Sequence, residues 1–101
     1  MLDKLEAIYA RYQEIEQQMN DPQVTGDMKR YVKLSKDYKD LQPVVKAYHD
    51  YKGLLDTIAE CKELLGTEKD EELREMAKME LAEAVEKRDK MEEEIRNLLI
   101  P

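Results

Sequence analysis

The fold of this chain is decided by residues 31–65, which have the sequence YVKLSKDYKDLQPVVKAYHDYKGLLDTIAECKELL. Apolar side chains recur there every three or four residues, the period that places them on one face of an α-helix. This stripe consists of Tyr31, Leu34, Tyr38, Leu41, Val44, Tyr48, Tyr51, Leu55, Ile58, Cys61 and Leu65. We predict one long helix over residues 27–65. Pro43, which lacks a backbone donor, predicts a kink near residues 39–42.

Two further helices flank this stretch. Leu5, Ile8, Tyr12, Ile15 and Met19 form a stripe that predicts a helix over residues 3–19, with Asp3 as its cap. Asn20-Asp21-Pro22 ends that helix, and a short connection follows through Thr25 and Gly26. A third helix is predicted over residues 70–99. Its stripe is Leu73, Ala77, Leu81, Ala84, Arg88, Met91, Ile95 and Leu98.

The connections between these helices are the second feature that sets the fold. Gly66 is the expected cap of the long helix, and Thr67 or Asp70 the expected cap of the next one. Short connections make successive helices antiparallel. We therefore predict an all-α chain, an elongated antiparallel three-helix bundle with a coiled-coil-like helical hairpin, forming a single domain over residues 1–101.

Composition excludes several classes of protein. The net charge of −7 argues against a general binder of polyanions, since counterion release favours basic surfaces. No apolar run approaches the ~20 residues that span a bilayer, so no membrane association is expected. The single cysteine excludes an internal disulfide and a cysteine cluster for zinc. We expect a cytoplasmic protein.

The residues that carry most catalytic chemistry are scarce. His49 is the only histidine, and no serine or cysteine has a paired base in the sequence pattern. We interpret His49 as a solvated surface residue, Cys61 as a buried core residue and the six tyrosines as core or core-edge residues. No catalytic, cofactor-binding or metal-binding residue is predicted, no cofactor is expected, and the chain is not expected to be an enzyme.

One basic segment stands out on this acidic chain. Lys29, Lys33 and Lys36 are spaced by four and three residues, which places them on one helix face, away from the Tyr31 stripe. Two interpretations stay open. The lysines either keep a long helix soluble or make weak, salt-sensitive contact with RNA.

Several short motifs resemble a known family. They are Leu34-Ser35-Lys36-Asp37-Tyr38, Leu41-Gln42-Pro43-Val44-Val45 followed by Ala47-Tyr48, Glu72-Leu73-Arg74-Glu75-Met76-Ala77 and Leu98-Leu99-Ile100-Pro101. In this order they resemble the N-terminal domain of the bacterial class I peptide chain release factors, over the whole of residues 1–101. The leucine-rich ending resembles the member that reads UAA and UAG more than the member that reads UGA.

The resemblance implies a role in translation termination on the ribosome. The family's codon-reading tripeptide and its Gly-Gly-Gln motif are absent here and belong to later domains, so no site residue is carried over. The implied partners are the stalk base of the large ribosomal subunit, the class II release-factor GTPase and the methyltransferase that modifies the glutamine. The excised domain is expected to be monomeric. The alternative is a free-standing structural coiled-coil module, which would share the heptad-like stripes and often dimerises.

Overall fold

The computed structural model describes residues 1–101 and is all-α, as the sequence predicts. Its helices are α1 (Leu2–Met19), α2 (Pro22–Thr25), α3 (Met28–Thr67) and α4 (Glu71–Leu98). The three predicted long helices are confirmed to within two residues at each end. In addition to the three predicted helices, the connection after α1 folds into the short helix α2. Two compact units are present, Met1–Tyr48 and His49–Pro101, and α3 contributes to both.

Aspartate side chains cap the N-termini of two helices. Asp21 Oδ1 accepts a 2.9 Å hydrogen bond from the Gln23 amide, and Pro22 occupies the first turn of α2, where its missing N–H costs nothing. Asp70 Oδ1 accepts from the amides of Glu72 and Leu73 at the start of α4, which confirms its predicted capping role.

The predicted cap of α1 is wrong. The helix begins at Leu2, so its N-cap position is Met1 and makes no side-chain hydrogen bond. Asp3 lies inside the first turn instead. A carboxylate there still favours the helix, because it faces the positive end of the helix dipole.

The end of α3 also differs from the prediction. Gly66 lies within the helix, which continues to Thr67, and no glycine in the chain has the positive φ of a left-handed cap. The Thr67 hydroxyl donates to the Glu63 carbonyl rather than capping α4. Upstream, α3 passes through Pro43 as a helix, and the predicted kink there stays a prediction.

The first unit packs α1 and α2 against the first part of α3. Ile15, Val24 and Leu34 form a buried cluster. Partly buried neighbours complete it: Met19, Tyr38 and Leu41. The Tyr12 and Tyr38 rings stack with centroids 4.4 Å apart, and the Tyr9 and Tyr48 rings lie 5.2 Å apart. In these two pairs the earlier residue of α1 lies beside the later residue of α3, so the two helices are antiparallel.

The second unit is an antiparallel hairpin made by the rest of α3 and α4. The Tyr51 hydroxyl donates a 2.7 Å hydrogen bond to Glu92, toward the end of the hairpin that lies opposite the connection. Arg74 reaches the Leu65 carbonyl near the connection. The buried side chains of this unit are Tyr51, Ile58, Cys61, Ala77, Ala84 and Ile95. Two of the three buried residues on α4 are small alanines.

The predicted stripes hold along most of their length. Every member of the α1 and α3 stripes is buried or half-buried, including Cys61, and none of the six tyrosines is exposed. The α4 stripe is wrong at its two ends, where Leu73 and Leu98 are each 45% exposed. Both lie within three residues of a helix terminus, where the partner helix no longer covers them.

Candidate interaction surfaces

The predicted basic face is present on the first part of α3. Lys29, Lys33 and Lys36 are all exposed, whereas Leu34 is buried and Tyr31 and Tyr38 are half-buried. At about 100° per residue, the centres of these two sets lie on opposite sides of the helix. We name Lys29, Lys33 and Lys36 the lysine face. The structure brings these three side chains together on one surface, as the spacing predicts.

Further charged side chains surround the lysine face. Arg30 and Lys39 are also exposed nearby, whereas Asp37 is half-buried and Asp40 is exposed one helical turn after Lys36. Four ion pairs lie outside this face: Arg11–Glu14, Arg74–Glu71, Lys78–Glu75 and Arg88–Asp89. Asp27 precedes the face, and its carboxylate accepts a 3.2 Å hydrogen bond from the Arg30 amide. The Asp27 side chain therefore helps to cap the N-terminus of α3.

An open groove of about 610 Å³ lies on the second unit, between α3 and α4. Its lining residues are His49, Asp50, Gly53, Leu54, Thr57, Lys87, Lys90, Met91 and Glu94. A second, smaller groove shares Leu54, Thr57 and Lys87 and continues toward Glu80, Glu83 and Ala84. Together they form one furrow along the hairpin. Gly53 faces open space in this furrow, since a Cβ there would meet nothing within 4 Å.

The groove does not assemble a nucleophile with a base. His49 is exposed, as predicted, whereas Cys61 is buried twelve residues further along the same helix. That spacing corresponds to about 18 Å of helix rise, far beyond hydrogen-bond reach. Burial and the nearby Glu80 carboxylate raise the pKa of the Cys61 thiol, so the thiol form is favoured.

Metal-binding side chains are not clustered. No group of three or more histidine, cysteine, aspartate or glutamate side chains is arranged to hold a metal ion. The helices are also too short or too polar to cross a membrane.

Two tyrosine hydroxyls make carboxylate contacts that the sequence did not predict. Tyr38 donates a 3.1 Å hydrogen bond to Glu16, and Tyr51 donates to Glu92. The Tyr12 hydroxyl, burial and the Glu16 carboxylate raise the pKa of Tyr38. Burial, followed by Glu92, raises the pKa of Tyr51, and Arg88 opposes this shift. Each hydrogen bond joins a tyrosine of the α3 stripe to a glutamate on the facing helix.

The connection between α3 and α4 is held by an arginine that the periodicity did not single out. Arg74 Nη1 donates to the Leu65 carbonyl at 2.6 Å and to the Glu68 carbonyl at 3.1 Å. Carbonyls in the last turn of a helix have no partner within it, so a cation there acts as a cap. A sequence signal existed, because Arg74 lies one helical turn after Asp70, next to the connection.

Comparison with known proteins identifies the family. The model of the PCRF domain family matches residues 8–101. The chain is 50% identical over its whole length to Peptide chain release factor 1 of Clostridioides difficile and 46% identical to that of Cytophaga hutchinsonii. The protein of the same name from Lactococcus lactis subsp. cremoris is 42% identical over 102 aligned positions.

The alignments cover very different fractions of this chain and of its longer relatives. All of this chain is aligned, but it spans only 28% of the length of the Clostridioides difficile relative, in its N-terminal part. No solved structure gives a significant match. The matched family model nevertheless covers nearly the entire described fold, from Ile8 in the second turn of α1 to Pro101. The chain therefore belongs to the PCRF domain family and resembles the N-terminal part of peptide chain release factor 1.

Proposed function

We propose that this chain acts as the N-terminal domain of a peptide chain release factor in translation termination at the stop codons UAA and UAG. The observation that carries this proposal is the likeness to proteins named Peptide chain release factor 1, which extends over every residue of the chain. The domain contributes binding surfaces in this scheme. Codon reading and peptide release belong to other parts of the longer relatives, and the chain is not itself an enzyme.

The fold supports a role in binding. Helices cover 89% of the residues and hold charged side chains on fixed faces. Such surfaces suit recognition by other macromolecules, because a rigid face loses little conformational entropy on binding. We propose the ribosome in the cytoplasm as the principal partner, at the stalk base of its large subunit. The class II release-factor GTPase and the methyltransferase of the release-factor glutamine are proposed as further partners.

A chimera tests the termination role. Residues 1–101 would replace the aligned part of the Clostridioides difficile relative, and peptide release would be measured on ribosomes stalled at UAA or UAG, with and without the GTPase. The control chimera would carry an unrelated monomeric helical hairpin of similar length. We expect the first chimera to approach the activity of the intact relative and the second to fall well below it.

The same experiment separates termination from the alternative of a free-standing coiled-coil module. Under that alternative, residues 1–101 would perform no better than the unrelated hairpin. Equal activity of the two chimeras, both in release and in recycling by the GTPase, would therefore refute the proposal. The mass of the isolated chain by light scattering adds an independent check, since the proposal expects a monomer.

The lysine face is our proposed site of weak RNA contact. Its three lysines are exposed on one surface, so each can reach a phosphate without disturbing the core. Three phosphate contacts would give a slope of roughly −2 to −3 in a plot of log affinity against log salt. The overall negative charge keeps this contact weak and local.

Filter binding of ribosomal RNA to the isolated chain tests this contact. The triple variant Lys29→Glu, Lys33→Glu, Lys36→Glu should lose most of the binding and its salt dependence. The matched control changes Lys52, Lys62 and Lys69, which are also exposed, to glutamate and so alters the net charge by the same amount. If both triple variants lost RNA equally, net charge rather than the lysine face would explain the binding.

A further inference from the structure

Four large apolar side chains are exposed near the connection between α3 and α4. Leu64 is 40% exposed, Leu73 45%, Met76 61% and Met79 66%. We name these four residues the hairpin-end patch. Single exposed apolar residues are ordinary, whereas several close together are a common feature of interaction surfaces.

Helical spacing places the patch beside the furrow already described. Leu64 lies seven residues after Thr57, and Met76 and Met79 lie seven and four residues before Glu83. Thr57 and Glu83 both line the furrow. Positions separated by four or seven residues share a helix face. The hairpin-end patch and the furrow therefore form one continuous surface of the second unit.

The charge around the patch is strongly acidic. Residues 60–83 contain nine acids and four bases, a net charge of −5. Two of the four bases are engaged within the chain. Arg74 holds the carbonyls of Leu65 and Glu68, and Lys78 contacts the Glu75 carboxylate at 3.1 Å. An exposed apolar patch with an acidic rim results.

We propose that the hairpin-end patch docks a basic amphipathic helix of another protein. Methionine side chains are flexible and polarisable, so they adapt to the apolar stripe of a bound helix. The furrow supplies a track for that stripe, in the helix-in-groove mode of recognition. Its charged lining is acidic on balance, with Asp50, Glu80, Glu83 and Glu94 beside Lys87 and Lys90. The acidic rim attracts lysine and arginine on the flanks of the helix, and it repels nucleic acid and anionic membranes.

This inference goes beyond the proposed termination role. It concerns a different surface, since the lysine face lies in the first unit and the hairpin-end patch in the second. It also requires the opposite charge in the partner. Either surface can therefore fail in experiment without affecting the other.

A model peptide tests the proposal on the intact 101-residue chain. The probe is a fluorescein-labelled helix of about 18 residues, built from leucine on one face and lysine on the other, and binding is followed by fluorescence polarisation. We expect saturable binding with a Kd of roughly 1–100 µM. A peptide with glutamate in place of lysine, and one with the same composition but a scrambled stripe, should bind at least about tenfold more weakly.

Neutral variants locate the contact. Met76→Gln with Met79→Gln keeps the net charge and should weaken binding of the leucine–lysine peptide about tenfold. The matched control is Met28→Gln with Val32→Gln, two apolar residues exposed on the first part of α3. This pair should leave the Kd within about twofold. Circular dichroism verifies that both double variants are folded, as expected for exposed positions.

Four outcomes would overturn the proposal. They are absence of peptide binding, equal weakening by the two double variants, binding to phosphatidylglycerol vesicles without binding to the peptide, and a concentration-dependent dimer that the Met76 and Met79 changes dissociate. The last two results would assign the patch to a membrane or to a second copy of the chain. The expected pattern is peptide binding by a monomer, lost selectively with Met76 and Met79.

Discussion

Arg74 donates a 2.6 Å hydrogen bond through its guanidinium to the main-chain carbonyl of Leu65. The same nitrogen reaches the Glu68 carbonyl, so one side chain of α4 closes the end of α3 and orders the connection between them. Sequence periodicity does not identify Arg74 as a structural residue, because it belongs to no apolar stripe. Its contribution to stability follows directly from the geometry.

Arg74→Ala should destabilise the chain by about 1–2 kcal/mol, because two carbonyls lose a charged donor that is only partly exposed to water. Arg74→Lys should recover only part of this loss, since lysine has no counterpart of Arg74 Nε, which lies 3.9 Å from the Glu71 carboxylate, and its ammonium group is more strongly hydrated than a guanidinium. Urea denaturation followed by circular dichroism measures both. Lys78→Ala, which removes an exposed ion pair on the same helix, should cost less than about 0.5 kcal/mol. Equal losses for Arg74→Ala and Lys78→Ala would contradict the capping role.

Val24→Ala should destabilise the chain by about 1–3 kcal/mol, because it leaves a cavity beside Ile15 and Leu34 in the first unit. Val24 is 1% exposed, although it lies in a helix of only four residues. The matched change Val32→Ala affects a side chain that is 58% exposed and should stay within about 0.5 kcal/mol of the parent. Denaturant midpoints of the two variants provide the measurement. If Val24→Ala were as mild as Val32→Ala, α2 would not be part of the core.

Gly53→Ala should stabilise the chain by about 0.5–1 kcal/mol, because alanine loses less backbone entropy in a helix interior and its methyl group meets no neighbour within 4 Å. Gly26→Ala is the contrasting change. A Cβ at that position would lie 3.2 Å from the Pro22 carbonyl oxygen, so no comparable gain is expected. Thermal unfolding of both variants checks the difference. A gain at Gly26 that matched the gain at Gly53 would count against this explanation.

Alkaline pH should weaken the fold through Tyr38 and Tyr51. Both have a folded-state pKa above the usual value, so the folded chain holds these protons more tightly than the unfolded chain does. The associated stability is complete below about pH 10, the unfolded tyrosine pKa, and is lost as the pH rises through the folded values.

The double change Tyr38→Phe with Tyr51→Phe removes both titrating hydroxyls. The free energy of unfolding of this variant should therefore fall less steeply above about pH 10 than that of the parent chain. Urea denaturation at a series of alkaline pH values gives the two curves. Parallel curves would show that neither hydroxyl contributes to the pH dependence, whatever the offset between them.

The sequence by itself determined the helices of this protein. Stripes such as Leu5 to Met19 and Tyr31 to Leu65 have the 3.6-residue period, and proline after α1 and Asp70 before α4 mark boundaries through local backbone chemistry. The lysine face was equally predictable, because three residues on one helix keep their mutual arrangement wherever that helix packs. The order of a few short sequence motifs was likewise enough to indicate the family.

Only the tertiary structure decided which side chains of different helices meet. Val24 becomes a core residue because α2 folds back onto Ile15 and Leu34, although four residues have no measurable period. Arg74 becomes a cap, and Tyr51 and Glu92 become partners, because the antiparallel register of α3 and α4 brings together residues distant in sequence. Leu73 stays exposed for the same reason, since the hairpin covers its middle better than its end. Periodicity fixes the face of each helix, whereas register and coverage depend on packing between helices.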